Sequence, residues 1–189
     1  SENLIVVELS AGTRVAWSRL NRRKDVQSSC GICGRQSLQS LKNLEISQPR
    51  GAPWPRDLSL GTFLEQLSSS QNMFRSTGGV HASGLFHYDG NLICLREDVG
   101  RHNALDKVVG WSLDKKFVPA EDSILLVSGR ISFELVQKAL LAGIPNLVGI
   151  GAPSSLAIEL AEEFDLTLLG FLRENSVNVY SGDWRISRL

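Results

Sequence analysis

The sequence predicts an α/β protein: a mixed, partly parallel sheet with helices on both faces. Two observations lead to this. From about residue 124 to the end, short apolar runs alternate with stretches of helical period. Successive runs are also joined by segments long enough for a helix to cross from one strand to the next, which a parallel pair requires.

The elements follow in order. Leu4–Leu9 is a short apolar run, Ala11-Gly12-Thr13 punctuates it, and Val15–Trp17 continues, which reads as a hairpin. Gln48–Arg56 carries Pro49, Pro53 and Pro55 and is expected to be a loop. A helix is expected from Ser59 to about Phe74, with Leu60, Phe63, Leu64 and Leu67 on one stripe. Asp89-Gly90 marks a hairpin turn between Leu85–Tyr88 and Leu92–Leu95. Strands are expected at Ile124–Val127, Leu147–Ile150, Leu166–Leu172 and Val177–Tyr180. Between them lie a helix from about Ile131 to Ala142, stopped by Gly143, and one capped by Ser154 or Ser155.

At 189 residues the chain fits one domain, 1–189. Lys plus Arg and Asp plus Glu are equal at 20 each, which argues against broad binding of nucleic acid, where a basic excess is needed. No apolar run approaches the roughly 20 residues of a membrane helix. There are three cysteines, two of them in one C-x-x-C, so a disulfide scaffold is disfavoured and a reducing, cytoplasmic setting is expected.

Chemistry concentrates at a few junctions. In Cys30-Gly31-Ile32-Cys33-Gly34-Arg35 the glycines permit close backbone approach, and a helix expected at about Arg35–Leu44 would stabilise a thiolate at its start. By spacing alone the pair suits redox, zinc or sulfur-transfer chemistry. Zinc needs two more ligands, and His81, His87, His102 and Cys94 supply no second pair, so no metal site is expected. Cys94 lies between Ile93 and Leu95 and reads as core. Gly78-Gly79 can form an anion-holding nest beside His81, a candidate proton carrier. In the Arg96–Asn103 stretch, Glu97 and Asp98 are candidate caps for the helix that follows, and Arg96 and Arg101 are candidate forks for a carboxylate or phosphate. Ser128-Gly129-Arg130 and Ser154-Ser155 each sit between a strand and a helix, where open α/β sheets bind ligands. Neither junction has the Walker or the G-x-G-x-x-G pattern.

Five stretches give a resemblance: CGICGRQSL (30–38), TGGVHASGLF (77–86), REDVGRHNALDKVVG (96–110), SGRISFELVQKAL (128–140) and APSSLAIELA (152–161). In order and content they resemble the formate dehydrogenase accessory sulfurtransferase (FdhD) family. The resemblance implies a cytidine-deaminase-like three-layer fold and a homodimer. It implies a sulfur carrier that takes persulfide sulfur from a cysteine desulfurase and passes it to the molybdenum (or tungsten) bis-pterin guanine dinucleotide cofactor, before that cofactor enters formate dehydrogenase. The cofactor would be a bound substrate, with no permanent cofactor. Cys30 would bear the persulfide with Cys33 as its partner, and Phe171, Leu172, Arg173, Glu174, Asn175 and Ser176 would contact the cofactor. Two departures stand out: Glu174-Asn175-Ser176 replaces the glycine and second basic residue of the family pattern, and the segment that family members carry before Leu4 is expected to be missing. A zinc deaminase is the weaker reading, because Ser83 stands after His81-Ala82 where the general acid/base glutamate is needed. A carrier chaperone with no thiol chemistry is the other alternative.

Overall fold

A computed structural model describes residues 6–15, 48–55 and 59–186; Cys30, Cys33 and the helix expected at 35–44 lie outside these. The chain divides into two units, Ser1–Cys30 and Gly31–Leu189. In the first, the Thr13 N–H donates to the Ser10 carbonyl at 3.1 Å and Gly12 takes φ +84°. Among the described residues the expected hairpin is therefore only its turn, with no strand on either side. A lone two-stranded hairpin without a covering layer is marginal in water.

The second unit holds a six-stranded sheet. Helix α1 (Leu60–Ser70) and the short α2 (Asn72–Thr77) precede β1 (His81–His87) and β2 (Leu92–Asp98). Then come α3 (Arg101–Asp114), β3 (Ser123–Val127), α4 (Phe133–Leu141), β4 (Asn146–Gly149), α5 (Ser155–Glu163), β5 (Thr167–Arg173), β6 (Ser176–Ser181) and a 3-10 turn (Asp183–Arg185). The sheet order is β2-β1-β3-β4-β5-β6. The β3–β4 and β4–β5 pairs, joined by helices, are parallel, and the other three are antiparallel. The mixed, partly parallel sheet is thus as expected.

Alternation along each strand divides the core. Leu85, Leu125, Val127, Leu147 and Leu168 face a cluster built with Leu105 and Val108 of α3, Leu135 and Val136 of α4, and Leu160 of α5. Ala82, Phe86, Ile124, Leu126, Val148 and Leu169 face Phe63 and Leu67 of α1 and Trp54. The Phe63 and Phe86 rings meet edge-on at 5.0 Å. β3 and β4 are buried along their whole length, as central strands with cover on both faces must be.

Two expected boundaries shift. The helix expected over 59–74 breaks at Gln71 (ψ 77°), after three serines of modest helix propensity. The helix expected from Ile131 starts at Phe133, because Ile131 forms a parallel bridge with Pro153 that prolongs the sheet. The proline-rich segment is an irregular loop, as expected, but a tethered one. Trp54 Nε1 donates to Asn146 Oδ1 at 2.8 Å, and the Trp54 N–H donates to the Arg185 carbonyl at 2.6 Å.

Candidate functional site at the carboxyl edge of the sheet

Because β1 runs antiparallel to β3 and β2 antiparallel to β1, the start of β1 and the end of β2 share an edge with the carboxyl ends of β3, β4 and β5. That edge gathers the described candidate residues from five stretches: Gly78–His81, Glu97–Arg101, Ser128–Ser132, Gly151–Ser155 and Phe171–Ser176.

Its floor is a lattice of backbone bonds continuing past the strands. Ser128 N–H donates to the Ala82 carbonyl (3.0 Å), Ile131 N–H to Ala152 (3.0 Å), Ser154 N–H to Ile131 (2.9 Å) and Gly151 N–H to Gly129 (3.2 Å). Gly151 is required by contact: a Cβ there would lie 2.8 Å from the Arg130 nitrogen and 2.9 Å from the Gly129 carbonyl. Phe171 joins the lattice by donating its N–H to the Gly151 carbonyl at 3.2 Å. It holds φ +55°, a left-handed conformation that costs a bulky side chain about 1–3 kcal/mol, and its ring is left exposed.

The individual groups are committed to different degrees. Gly78 caps α2 in the left-handed conformation, its N–H donating to the Phe74 carbonyl at 2.7 Å; the Gly79 N–H donates to Thr77 Oγ1 at 3.3 Å. Both amides of the expected nest are therefore engaged within the chain. Ser154 Oγ accepts from the Ala157 N–H at 3.2 Å as the cap of α5, as the sequence predicts, and Ser155 is exposed. Arg173 is exposed, but its Nη1 donates to the Ile150 carbonyl at 3.0 Å and to its own neighbour Leu172 at 2.7 Å; Arg130 is exposed. Glu174 and Asn175 form the turn into β6. At His81, Nδ1 faces Ser128 Oγ at 3.5 Å, and that oxygen accepts from the Ala82 N–H at 2.9 Å.

The acidic pair after β2 is divided. Asp98 serves α3 as expected: its Oδ1 accepts from the Gly100 N–H (2.9 Å) and Asn103 Nδ2 (3.1 Å), and its Oδ2 pairs with Lys107 (2.6 Å). The Lys107 ammonium, then these donors, hold its carboxyl down to about 2. Glu97 corrects the expectation. It caps a different helix, accepting the N–H groups of Met73 and Phe74 of α2, both at 2.8 Å. Ala82↔Glu97 and His81↔Asp98 are successive pairs of the ladder, so the two carboxylates leave the sheet on opposite faces.

Two features were not assigned from sequence. His102 Nε2 lies 2.9 Å from Ser132 Oγ, joining the starts of α3 and α4. Ser83 Oγ is buried with no hydrogen-bond partner among the described residues, as is Nε of Arg101, already a fork candidate from the sequence. A serine inside the run Val80–Phe86 was the available signal for Ser83; nothing in the sequence paired His102 with Ser132. Cys94 is buried as expected, and burial pushes its thiol up against the opposing effect of Arg96, so it is not a nucleophile. A depression of about 550 Å³ lined by Glu162, Asp165, Tyr180 and Trp184 lies at the amino end of β5, away from this edge.

The chain matches known proteins along nearly its whole length. The model of the FdhD/NarQ family matches residues 1–187. The chain belongs to the FdhD/NarQ family. Relatives named "Sulfur carrier protein FdhD" come from Mycolicibacterium paratuberculosis (46% identical over 187 residues, 98% of this chain and 69% of the relative) and Streptomyces coelicolor (46%, 98% and 66%). One from Sulfolobus acidocaldarius is 45% identical, with 98% of this chain and 70% of the relative covered. The chain thus spans about two thirds of the length of these FdhD relatives. Among solved structures, a protein from Desulfotalea psychrophila assigned as a formate dehydrogenase accessory protein superposes with a TM-score of 0.69 at 32% identity, covering 77% of this chain and 61% of that one. Among the described residues no helix is long and apolar enough to cross a membrane.

Proposed function

We propose that this protein is a sulfur carrier: Cys30 receives sulfane sulfur from a cysteine desulfurase and delivers it to a molybdenum or tungsten bis-pterin guanine dinucleotide cofactor destined for formate dehydrogenase. Family membership together with one basic sheet edge supports this reading. At that edge Arg96, Arg101, Arg130 and Arg173 form no ion pair with a carboxylate among the described residues. A ligand bearing two diphosphates fits such an edge, and the exposed Phe171 ring offers a face on which a purine stacks.

In loading, the Cys30 thiolate attacks the terminal sulfur of the donor's persulfide; a new S–S bond forms and the donor cysteine leaves as thiolate. In delivery, the Cys33 thiolate attacks the Cys30 sulfur. The outer sulfur departs as hydrosulfide to the cofactor, a Cys30–Cys33 disulfide remains, and a cellular dithiol reduces it. The protein acts in the cytoplasm as a homodimer in this reading.

The test is incubation with a desulfurase and cysteine, followed by cyanolysis of the labile sulfur. Wild-type protein is expected to carry one equivalent and the Cys30→Ala variant none. Loading that persists when both cysteines are replaced would refute the carrier reading. Full maturation of formate dehydrogenase by Cys30→Ser would instead select a chaperone that holds cofactor without thiol chemistry.

A further inference from the structure

We propose that Arg101 and His81, packed over Gly129, form with Ser83 of the same strand face a subsite for one phosphoryl group on the α3 side of the sheet edge. This rests on the reading above that the ligand carries phosphates.

The residues converge from three elements. A Cβ built on Gly129 would lie 3.3 Å from His81 Nδ1 and 3.5 Å from Arg101 Cδ, so the ring and the aliphatic stem both lie over this one glycine. His81 pairs with Asp98 and Ser83 with Arg96 in the β1–β2 ladder, which puts His81 and Ser83 on the same face, the one that α3 covers.

The hydrogen bonds that are present leave specific donors over. Ser128 Oγ accepts the Ala82 N–H and faces His81 Nδ1 at 3.5 Å, the long end of a hydrogen bond. His81 Nε2 has no hydrogen-bond partner among the described residues. Ser83 is 1% exposed and its hydroxyl has no partner among the described residues; neither has the buried Arg101 Nε. Burying polar groups, a guanidinium above all, without partners is unfavourable, so unpartnered groups on this face are matched to an acceptor.

The choice of Arg101 over its neighbours follows from what each does. Arg130 is exposed, and Arg173 bonds two carbonyls. Arg96 donates to the Leu95 carbonyl. Arg101 forms no ion pair among the described residues, although Glu134 feels its charge. A tetrahedral oxyanion offers several acceptors around one centre and takes a guanidinium fork and an imidazole N–H together.

The probe is inorganic pyrophosphate, titrated calorimetrically into the full chain and into variants. Arg101→Gln is expected to weaken binding about tenfold, the loss of a charge-assisted contact, while Lys115→Gln, at the opposite end of α3, stays within about twofold of wild type. Should Arg101→Gln not fold, Arg101→Lys keeps stem and charge but not the fork and is expected to weaken binding about threefold. Gly129→Ala, whose Cβ would press on His81 Nδ1 at 3.3 Å, is expected to weaken it as well. Unchanged affinity in the folded Arg101 variant, or an equal loss in Lys115→Gln, overturns the assignment. Persulfide loading of Cys30 is measured on the same samples: failure to load with intact pyrophosphate binding rejects sulfur transfer and leaves the anion subsite standing.

Discussion

His102 Nε2 approaches Ser132 Oγ to 2.9 Å, with the Glu134 carboxylate 3.8 Å from the same nitrogen. Burial first, then the charges of Arg101 and Lys138, hold the imidazole below its ordinary value against the pull of Glu134 and Asp106. A histidine whose folded pKa is depressed favours the neutral form, so the native state binds fewer protons than the unfolded one. Stability is therefore full above the ordinary value of about 6.5 and falls as pH drops through it. The melting temperature of wild type is expected to fall more between pH 8 and pH 5 than that of His102→Gln. Parallel curves would show that this histidine does not contribute.

Glu97 supplies the end of α2 with an acceptor that α2 itself lacks. Its Ncap position is Gln71, which makes no side-chain cap bond, and both carboxylate oxygens of Glu97 take the free N–H groups instead. Glu97→Ala is expected to cost about 1 kcal/mol in urea unfolding, the usual value of a lost cap. Glu97→Gln, which keeps an acceptor without the charge, should lose less. Because α2 leads directly into Gly78 and His81, amide exchange in Met73 and Phe74 should accelerate in Glu97→Ala while β3 is unaffected.

What the sequence made legible depended on whether the cause of a feature was local. Gly143 stops α4 at φ +67°, the Asp89-Gly90 turn closes β1 onto β2, and Ser154 caps α5; each is written in two or three adjacent residues. The destination of Glu97 was not legible, because Asp98 next to it makes the cap the sequence predicts and only the alternation of the strand sends the two apart. Likewise the convergence of His81, Arg101 and Gly129 needs the antiparallel placement of β1 between β2 and β3, which no local pattern specifies. The motifs fixed which junctions matter, and the topology decides which side chains meet there.

Gly151 tests the lattice beneath the site. A methyl group there meets the backbone of Gly129 and Arg130 at under 3.0 Å, atoms that cannot rotate away. Gly151→Ala is expected to destabilise by about 1–3 kcal/mol, in the range of overpacked sites. Gly79→Ala is the control, since its Cβ would meet only the Thr77 carbonyl at 3.8 Å and its φ lies outside the left-handed region. Equal stability of the two variants in thermal unfolding would show that the loops separate easily and that the floor is not rigid.

Arg185 ties the end of the chain to the loop that precedes α1. Its side chain is 2% exposed; Nη1 donates to the Asp165 carbonyl (2.7 Å) and Thr167 Oγ1 (3.2 Å), and Nη2 to Asp165 Oδ2 (3.0 Å) and the Pro49 carbonyl (3.3 Å). Its own carbonyl accepts the Trp54 N–H. Arg185→Met keeps much of the packing but removes all four donors, leaving the Pro49 carbonyl and Asp165 without them. Losing one partner of a buried pair costs about 3–5 kcal/mol. Asp165 is partly exposed and regains water, so a loss of about 2–3 kcal/mol is expected here. Asp165→Asn, which leaves three of the four bonds, should lose about 1 kcal/mol. Trypsin reports the tether directly: cleavage after Arg50 is expected to be faster in Arg185→Met than in wild type under native conditions. Equal cleavage would mean that the Trp54 indole on Asn146 holds the loop by itself, leaving Arg185 to stabilise only the start of β5.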